Sequence, residues 1–157
     1  MIKLQRIGHI LLCVRDLERS KAFYTNILGF KVLEQDPDHG GVFLSLGEHG
    51  NTLDLFQSKN PDAYPQPSAG LGQREGLGVK HTAFAVETED ELKQAYFALK
   101  DAGVRIHAAR DHVSQKSVYF YDPDDNLLEI VWERPNTREI FAQGRNDGDR
   151  TIEFDRP

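Results

Sequence analysis

GHILLCV at residues 8–14 and KHTAFAV at residues 80–86 are the two segments from which the fold of this chain can be inferred. Each carries a histidine, alternates as a strand does, and is followed by a capping residue and a helical pattern. The two halves also end alike, because Asp54 in TLDLFQ stands where Glu129 stands in LLEIVW. The chain is therefore an internal repeat that places one histidine and one carboxylate at equivalent positions of each copy.

The two copies predict an α+β fold of two βαβββ modules. Capping signals support both helices: Asp16 precedes the first, and TEDE at residues 88–91 has the spacing of a capping box before the second. We predict a single domain over residues 1–157, with a first repeat at about 5–57, a linker at 58–78, a second repeat at about 79–133 and a tail at 134–157. The predicted strands lie at 7–14, 30–35, 41–47, 51–57, 79–86, 104–109, 116–121 and 126–132, and a short helical pattern at about 137–143 is expected in the tail.

Composition excludes several classes of protein. The net charge of −6 and the absence of a basic run argue against nucleic-acid binding. The chain has no apolar run long enough for a membrane span and no signal-peptide pattern. A single cysteine precludes an internal disulfide, so we expect a cytoplasmic protein. Because Cys13 lies in an apolar strand pattern, we expect it to be a small core residue.

The alternation of the strands assigns the candidate ligands to faces. His9 shares a face with Leu11 and Cys13, and His81 shares one with Ala83 and Ala85. Glu129 likewise points away from the bulkier apolar side chains of its own strand. If each sheet curls into a half-barrel, these faces line a concave interior, and the alanines leave space for a substrate.

These residues predict a shared metal site. A lone histidine in an apolar strand is more often a hydrogen-bonded core residue, and a lone acid can reach water from an edge strand. Two repeat-equivalent histidines with a carboxylate are different, since an unpaired buried carboxylate is costly and a metal satisfies all three. His9, His81 and Glu129 form the ligand set of a facial triad, which suits Fe(II) and also accepts Mn(II) or Zn(II).

The motifs around these residues resemble those of the vicinal oxygen chelate superfamily. VRDLERS at residues 14–20, LGF at 28–30 and DPDDNLLE at 122–129 carry the resemblance, which covers residues 5 to about 133. That superfamily includes glyoxalase I, extradiol dioxygenases, fosfomycin-resistance transferases, methylmalonyl-CoA epimerases and metal-free bleomycin-binding proteins. The resemblance implies a metal-dependent enzyme in which a small substrate chelates the ion through neighbouring oxygens. It places the metal ligands at His9, His81 and Glu129.

Within that superfamily, the second half looks most like small single-domain catechol-dioxygenase-like proteins. His112 is followed by Val118-Tyr119, then Asp122-Pro123 and Glu129, at the spacing of the extradiol motif. The resemblance implies that His112 and Tyr119 flank the substrate and move protons, with Fe(II) as the expected ion. Otherwise His112 is a loop histidine and Tyr119 a strand aromatic.

The chain departs from the extradiol pattern at three positions. Asn51 stands where those enzymes carry an acid–base histidine, and Asn cannot shuttle a proton; His49 can replace it only if the loop bends. Asp125 stands where the family usually has Gly, at a turn that needs a positive φ, which Asp tolerates. Arg110 replaces a small or β-branched residue. We therefore assign Asn51 to the substrate pocket and expect slow or altered ring cleavage.

Asp54 carries the main alternative. Glyoxalase I has a metal-binding Glu at the equivalent position, so a lyase or isomerase that uses Ni(II) or Zn(II) stays open. We expect the shorter Asp54 to lie in the substrate pocket and reach a neighbouring ring nitrogen or a water, without binding the ion. A metal-free resistance protein is the third alternative. In each case we expect a small-molecule ligand and a homodimer, with no nucleic-acid or membrane partner.

Overall fold

The computed structural model forms two compact units, residues 1–66 and 67–157, each built on one sheet. The residues that the structure describes are 2–4, 6–36, 40–47, 50–63, 79–144 and 148–156. Among them, no helix is both long and apolar enough to cross a membrane. Most of the predicted linker, residues 64–78, lies outside the described residues, and a 3-10 helix at Pro61–Ala63 occupies part of the rest.

The first unit has the predicted βαβββ order. Its elements are β1 (Ile10–Val14), α1 (Leu17–Asn26), β2 (Lys31–Asp36), β3 (Gly41–Ser45) and β4 (Leu53–Gln57). The strands form an open sheet in the order β1-β4-β3-β2, in which β1 pairs with β4 in parallel. Tyr24 on α1 is fully buried and meets the rings of Phe23 and Phe30 edge-on.

The second unit repeats this order and extends it. Its elements are β5 (Thr82–Val86), α2 (Glu89–Asp101), β6 (Ile106–Asp111), β7 (Gln115–Tyr121), β8 (Leu127–Glu133), α3 (Thr137–Gln143) and β9 (Arg150–Thr151). The sheet order β5-β8-β7-β6 matches that of the first unit, so the predicted α+β fold of two βαβββ modules is confirmed. The strand β9 was not predicted; it adds a fifth strand beside β6.

The helix α2 covers one face of the second sheet. Leu92 and Leu99 of this helix are buried, and their spacing of seven residues places both on one helix face. On the sheet, Val118 and Phe120 are fully buried, and Lys116 on the same side of β7 pairs with Glu89 of the helix. Every second residue of β7 and β8 therefore faces the helix, and the alternate residues face the other way.

The predicted capping box at the start of α2 is confirmed and carries a stability prediction. The Thr88 hydroxyl accepts from the Glu91 N–H, and the Glu91 carboxylate accepts from the Thr88 N–H. Replacing Thr88 with Ala should lower the free energy of unfolding by about 1 kcal/mol, because one N–H at the helix start loses its partner. Urea unfolding measures the loss. Thr88→Ser keeps the hydroxyl and should be close to wild type; an equal loss in both variants would contradict the capping role.

Candidate metal and proton-transfer site

The face of the second sheet that points away from α2 collects the polar residues predicted for the site. Glu129 of β8 is paired in register with Ala83 of β5 on one side and Tyr119 of β7 on the other. His81 immediately precedes β5 on the face that also carries Ala83. The parallel β5–β8 pair and the antiparallel β7–β8 pair thus bring residues from three strands to one region of this face.

His81 and Glu129 are in direct contact. The Nε2 atom of His81 lies 3.0 Å from Oε2 of Glu129, whose side chain is only 3% exposed. The other carboxylate oxygen accepts a long bond of 3.5 Å from the Gln115 amide. A buried carboxylate needs a cation or donors, and an imidazole nitrogen directed at it supplies a second metal-binding atom. The two side chains are therefore chemically suited to share one divalent ion.

Tyr119 joins this pair to His112. The Tyr119 ring is buried and lies edge-on to the His81 ring at 5.7 Å and to the His112 ring at 6.0 Å. Its hydroxyl is 3.0 Å from Nε2 of His112. Burial, reinforced by the negative charge of Glu129, raises the pKa of the Tyr119 phenol well above its ordinary value. The phenol therefore stays protonated at neutral pH and is available as a hydrogen-bond donor.

His112 lies in a tight turn between β6 and β7, with its side chain only 13% exposed. The next residue, Val113, has a φ of 68°, which is unfavourable for a β-branched side chain. Polar contacts hold this turn: the Val113 N–H donates to Asp111 at 3.0 Å, and its carbonyl accepts from Arg134 at 2.8 Å. On its other side, Nδ1 of His112 lies 2.7 Å from the Asp149 carboxylate.

The first unit has a similar histidine–carboxylate pair. The Nε2 atom of His9 lies 3.6 Å from Oδ2 of Asp54, and Asp54 is almost fully buried. The Asn51 amide donates to the other Asp54 oxygen at 2.6 Å. The structure thus brings together the three residues predicted in this half, whereas His49 lies outside the described residues. Whether Asp54 stands beside a bound ion stays a prediction.

The prediction for Cys13 was wrong, because this residue is exposed. It lies on the same face of β1 as His9 and Leu11, and Leu11 is also exposed. The opposite face, with fully buried Val14, is the one that packs in the core of the unit. The strand alternation places Cys13 with His9 on the face that is expected to line a half-barrel interior, so only its assignment to the core was wrong.

The described residues of each unit provide pairs of metal-binding side chains. Within either unit, they bring together no group of three His, Cys, Asp or Glu side chains suited to a metal ion. The predicted triad draws His9 from the first unit and His81 and Glu129 from the second, and it stays a prediction. Four residues near the site were not predicted from the sequence: Asp111, Gln115, Arg134 and Asp149. They reach the site through the turn between β6 and β7 and through the tail, and no sequence motif connects these segments.

Comparison with known proteins identifies the family. Residues 6–130 match the model of the Glyoxalase/Bleomycin resistance protein/Dioxygenase superfamily, and the chain belongs to that superfamily. It is similar to the catechol-2,3-dioxygenase of Bacillus subtilis strain 168, with 32% identity over 83% of this chain. It spans 42% of that enzyme's length.

Other relatives show how varied this superfamily is. The metallothiol transferase FosB of Lysinibacillus sphaericus strain C3-41 is 32% identical over 80% of this chain and 81% of its own length. Among solved structures, a glyoxylase/bleomycin resistance protein/dioxygenase domain from Frankia sp. EAN1pec matches with a TM-score of 0.66 and 26% identity, over 84% of this chain and all of that one. Homology therefore establishes the family and leaves the reaction open.

Proposed function

We propose that this protein is a metal-dependent enzyme of the extradiol dioxygenase type that opens the ring of a small aromatic vicinal diol. One observation carries the proposal: the His81–Glu129 pair adjoins a hydrogen-bonded Tyr119–His112 pair on the same sheet face. The first pair can bind a cation, and the second can hold and move a proton. A substrate that chelates an ion through two hydroxyl oxygens requires both functions.

The metal ligands in this proposal are His9, His81 and Glu129. Their donor set, two imidazoles and one carboxylate, suits Fe(II), while Mn(II), Ni(II) and Zn(II) remain alternatives. The burial of Glu129 beside an imidazole nitrogen supports the fit, because a divalent cation would balance its charge. An Fe(II) ion held there would supply the electron exchange with O₂ and attract the two oxygens of a catechol.

In this proposal, Tyr119 and His112 carry out the proton transfers. Tyr119 keeps its phenolic proton at neutral pH and can donate a hydrogen bond to substrate oxygen as charge develops there. The Tyr119 hydroxyl has one proton, so it can donate either to the substrate or to Nε2 of His112, 3.0 Å away; in the second arrangement His112 can take up that proton and later return it. Asn51 is engaged with Asp54 and has no titratable proton, so the first unit supplies no acid–base group at that position. We therefore expect turnover to be slow.

Ring cleavage tests this proposal directly. Fe(II) added to the full chain without oxygen, followed by catechol and O₂, should give ring-opened product and matching O₂ consumption. Tyr119→Phe should lower kcat by about 100-fold, because it removes one proton-transfer and hydrogen-bonding group. Tyr96→Phe, on α2, is the matched control and should leave kcat unchanged. Absence of O₂ uptake with a panel of catechols would contradict the dioxygenase assignment.

The His9–Asp54 pair supports a second candidate, a glyoxalase-type lyase or isomerase. Its geometry is similar to that of the His81–Glu129 pair, so two histidines and two carboxylates could serve one ion. Hemithioacetal turnover with Ni(II) or Zn(II), together with no O₂ uptake with Fe(II), would favour this candidate.

The proposal also includes a homodimer acting on a small molecule in the cytoplasm. The strands β1 and β5 each lie at an edge of their own sheet. Edge strands are common sites of association between chains. Light scattering on the purified protein should give twice the mass of the 17.8 kDa chain.

A further inference from the structure

We propose that Asp149, in the C-terminal tail, is a positioning residue that sets the protonation pattern of the His112 ring toward Tyr119. The inference deepens the proposed function, in which His112 and Tyr119 exchange a proton. Three groups form a continuous chain: the Asp149 carboxylate lies 2.7 Å from Nδ1 of His112, and Nε2 of the same ring lies 3.0 Å from the Tyr119 hydroxyl. The superfamily match ends at residue 130, so Asp149 lies beyond it.

The tail segment that carries Asp149 is held by contacts with β6, with Asp111 and with α2. The strand β9 pairs with β6, and the Ile152 N–H donates to the Ala109 carbonyl at 3.1 Å. Arg150, the next residue after Asp149, lies 3.2 Å from the buried Asp111 carboxylate. Further along, the Phe154 ring packs on Tyr96 of α2 at 5.1 Å. These contacts place the Asp149 backbone beside His112, so its carboxylate is held by a folded segment.

The carboxylate determines which ring nitrogen of His112 carries the proton. A carboxylate accepts a hydrogen bond and cannot donate one, so the proton belongs on Nδ1. A neutral ring then has its lone pair on Nε2, where it accepts from the Tyr119 hydroxyl. With the opposite tautomer, Nε2 could not accept the phenolic proton. When the ring does take up that proton, the nearby negative charge stabilises the imidazolium, as the carboxylate of a catalytic triad does.

Nitrogen NMR of the full chain tests this inference independently of any reaction. The Zn(II)-saturated protein, labelled with ¹⁵N histidine, is recorded at about pH 8.5, two units above the ordinary histidine pKa of about 6.5. A His112→Gln variant identifies the His112 signals among the six histidines. Wild type should show the proton on Nδ1. Asp149→Ala should shift the population toward the Nε2–H tautomer, and so should Asp149→Asn, because its amide can donate to Nδ1. Asp149→Glu keeps a carboxylate acceptor and should restore most of the wild-type pattern.

Glu153→Gln is the matched control, because it removes an exposed carboxylate from the same tail, and its His112 signals should equal those of wild type. Identical His112 nitrogen shifts in wild type and Asp149→Ala would overturn the proposal. With catechol, Asp149→Ala should lower kcat about tenfold with little change in KM. The two proposals fail separately: a tautomer change in a protein that never consumes O₂ supports the positioning role and contradicts the dioxygenase function.

Discussion

Replacing Glu129 with Gln should weaken the binding of a divalent ion by about 100-fold or more. Among the three proposed ligands, Glu129 alone carries a negative charge, and it is held in contact with His81. Replacing a metal ligand should lower the metal affinity by more than the 10- to 100-fold that is typical when a residue hydrogen-bonded to a ligand is replaced. Calorimetric titration with Fe(II) under argon measures the change, and O₂ consumption with catechol should fall in parallel.

Two further variants make this result specific. Glu133→Gln removes a carboxylate from the exposed end of the same strand and should leave Fe(II) affinity unchanged. Asp54→Asn should have a smaller effect than Glu129→Gln, because Asp54 is expected to support His9 without binding the ion. Equal losses in Asp54→Asn and Glu129→Gln would instead favour four ligands and the glyoxalase-type reaction. Unchanged affinity in Glu129→Gln would contradict the proposed metal site.

The features predicted well from the sequence are those that depend on local chemistry repeated in both halves. The strand–helix order follows from periodicity and from the caps at Asp16 and Thr88, both of which accept the expected N–H bonds. The turn at Asp125 has the positive φ, 64°, that its place in the motif predicts. Each of these depends on only a few neighbouring residues, so one sequence carries enough information.

The features that could not be predicted depend on contacts between distant segments. The tail contributes a two-residue strand and the Asp149 carboxylate, and neither leaves a hydrophobic pattern in the sequence. The left-handed Val113 conformation is stabilised by Asp111 and Arg134, which no local propensity would suggest. The motif therefore predicts His112 and Tyr119 as proton-transfer residues but does not predict Asp149.

The buried Asp111 is expected to be the main polar support of the second unit. One of its oxygens accepts from the Val113 N–H at 3.0 Å, and the carboxylate also lies within 3.2 Å of Arg134 and Arg150. Burial alone would raise the pKa of Asp111, but the Val113 N–H and the guanidinium groups of Arg150 and Arg134 outweigh it and lower that pKa below 3.8. The folded state therefore favours the charged carboxylate.

Replacing Asp111 with Ala should lower the free energy of unfolding by about 3 kcal/mol at neutral pH. The variant leaves the Val113 N–H without its acceptor and removes the carboxylate paired with Arg134, which keeps its bond to the Val113 carbonyl. Arg150 is largely exposed and contributes little. Urea unfolding followed by the fluorescence of Trp132, the single tryptophan and a residue of β8, reports on this unit. Asp155→Ala, at an exposed position of the tail, should change stability by less than about 0.5 kcal/mol.

The pH dependence separates the charge of Asp111 from its packing. A carboxyl group whose pKa is lower in the folded state binds fewer protons there, so its stabilisation is complete above the unfolded value of 3.8. It is lost as the pH falls through the still lower folded value. The stability difference between wild type and Asp111→Ala should therefore be constant from neutral pH down to about pH 5 and shrink below about pH 4. A difference that does not change with pH would mean that Asp111 acts through packing alone.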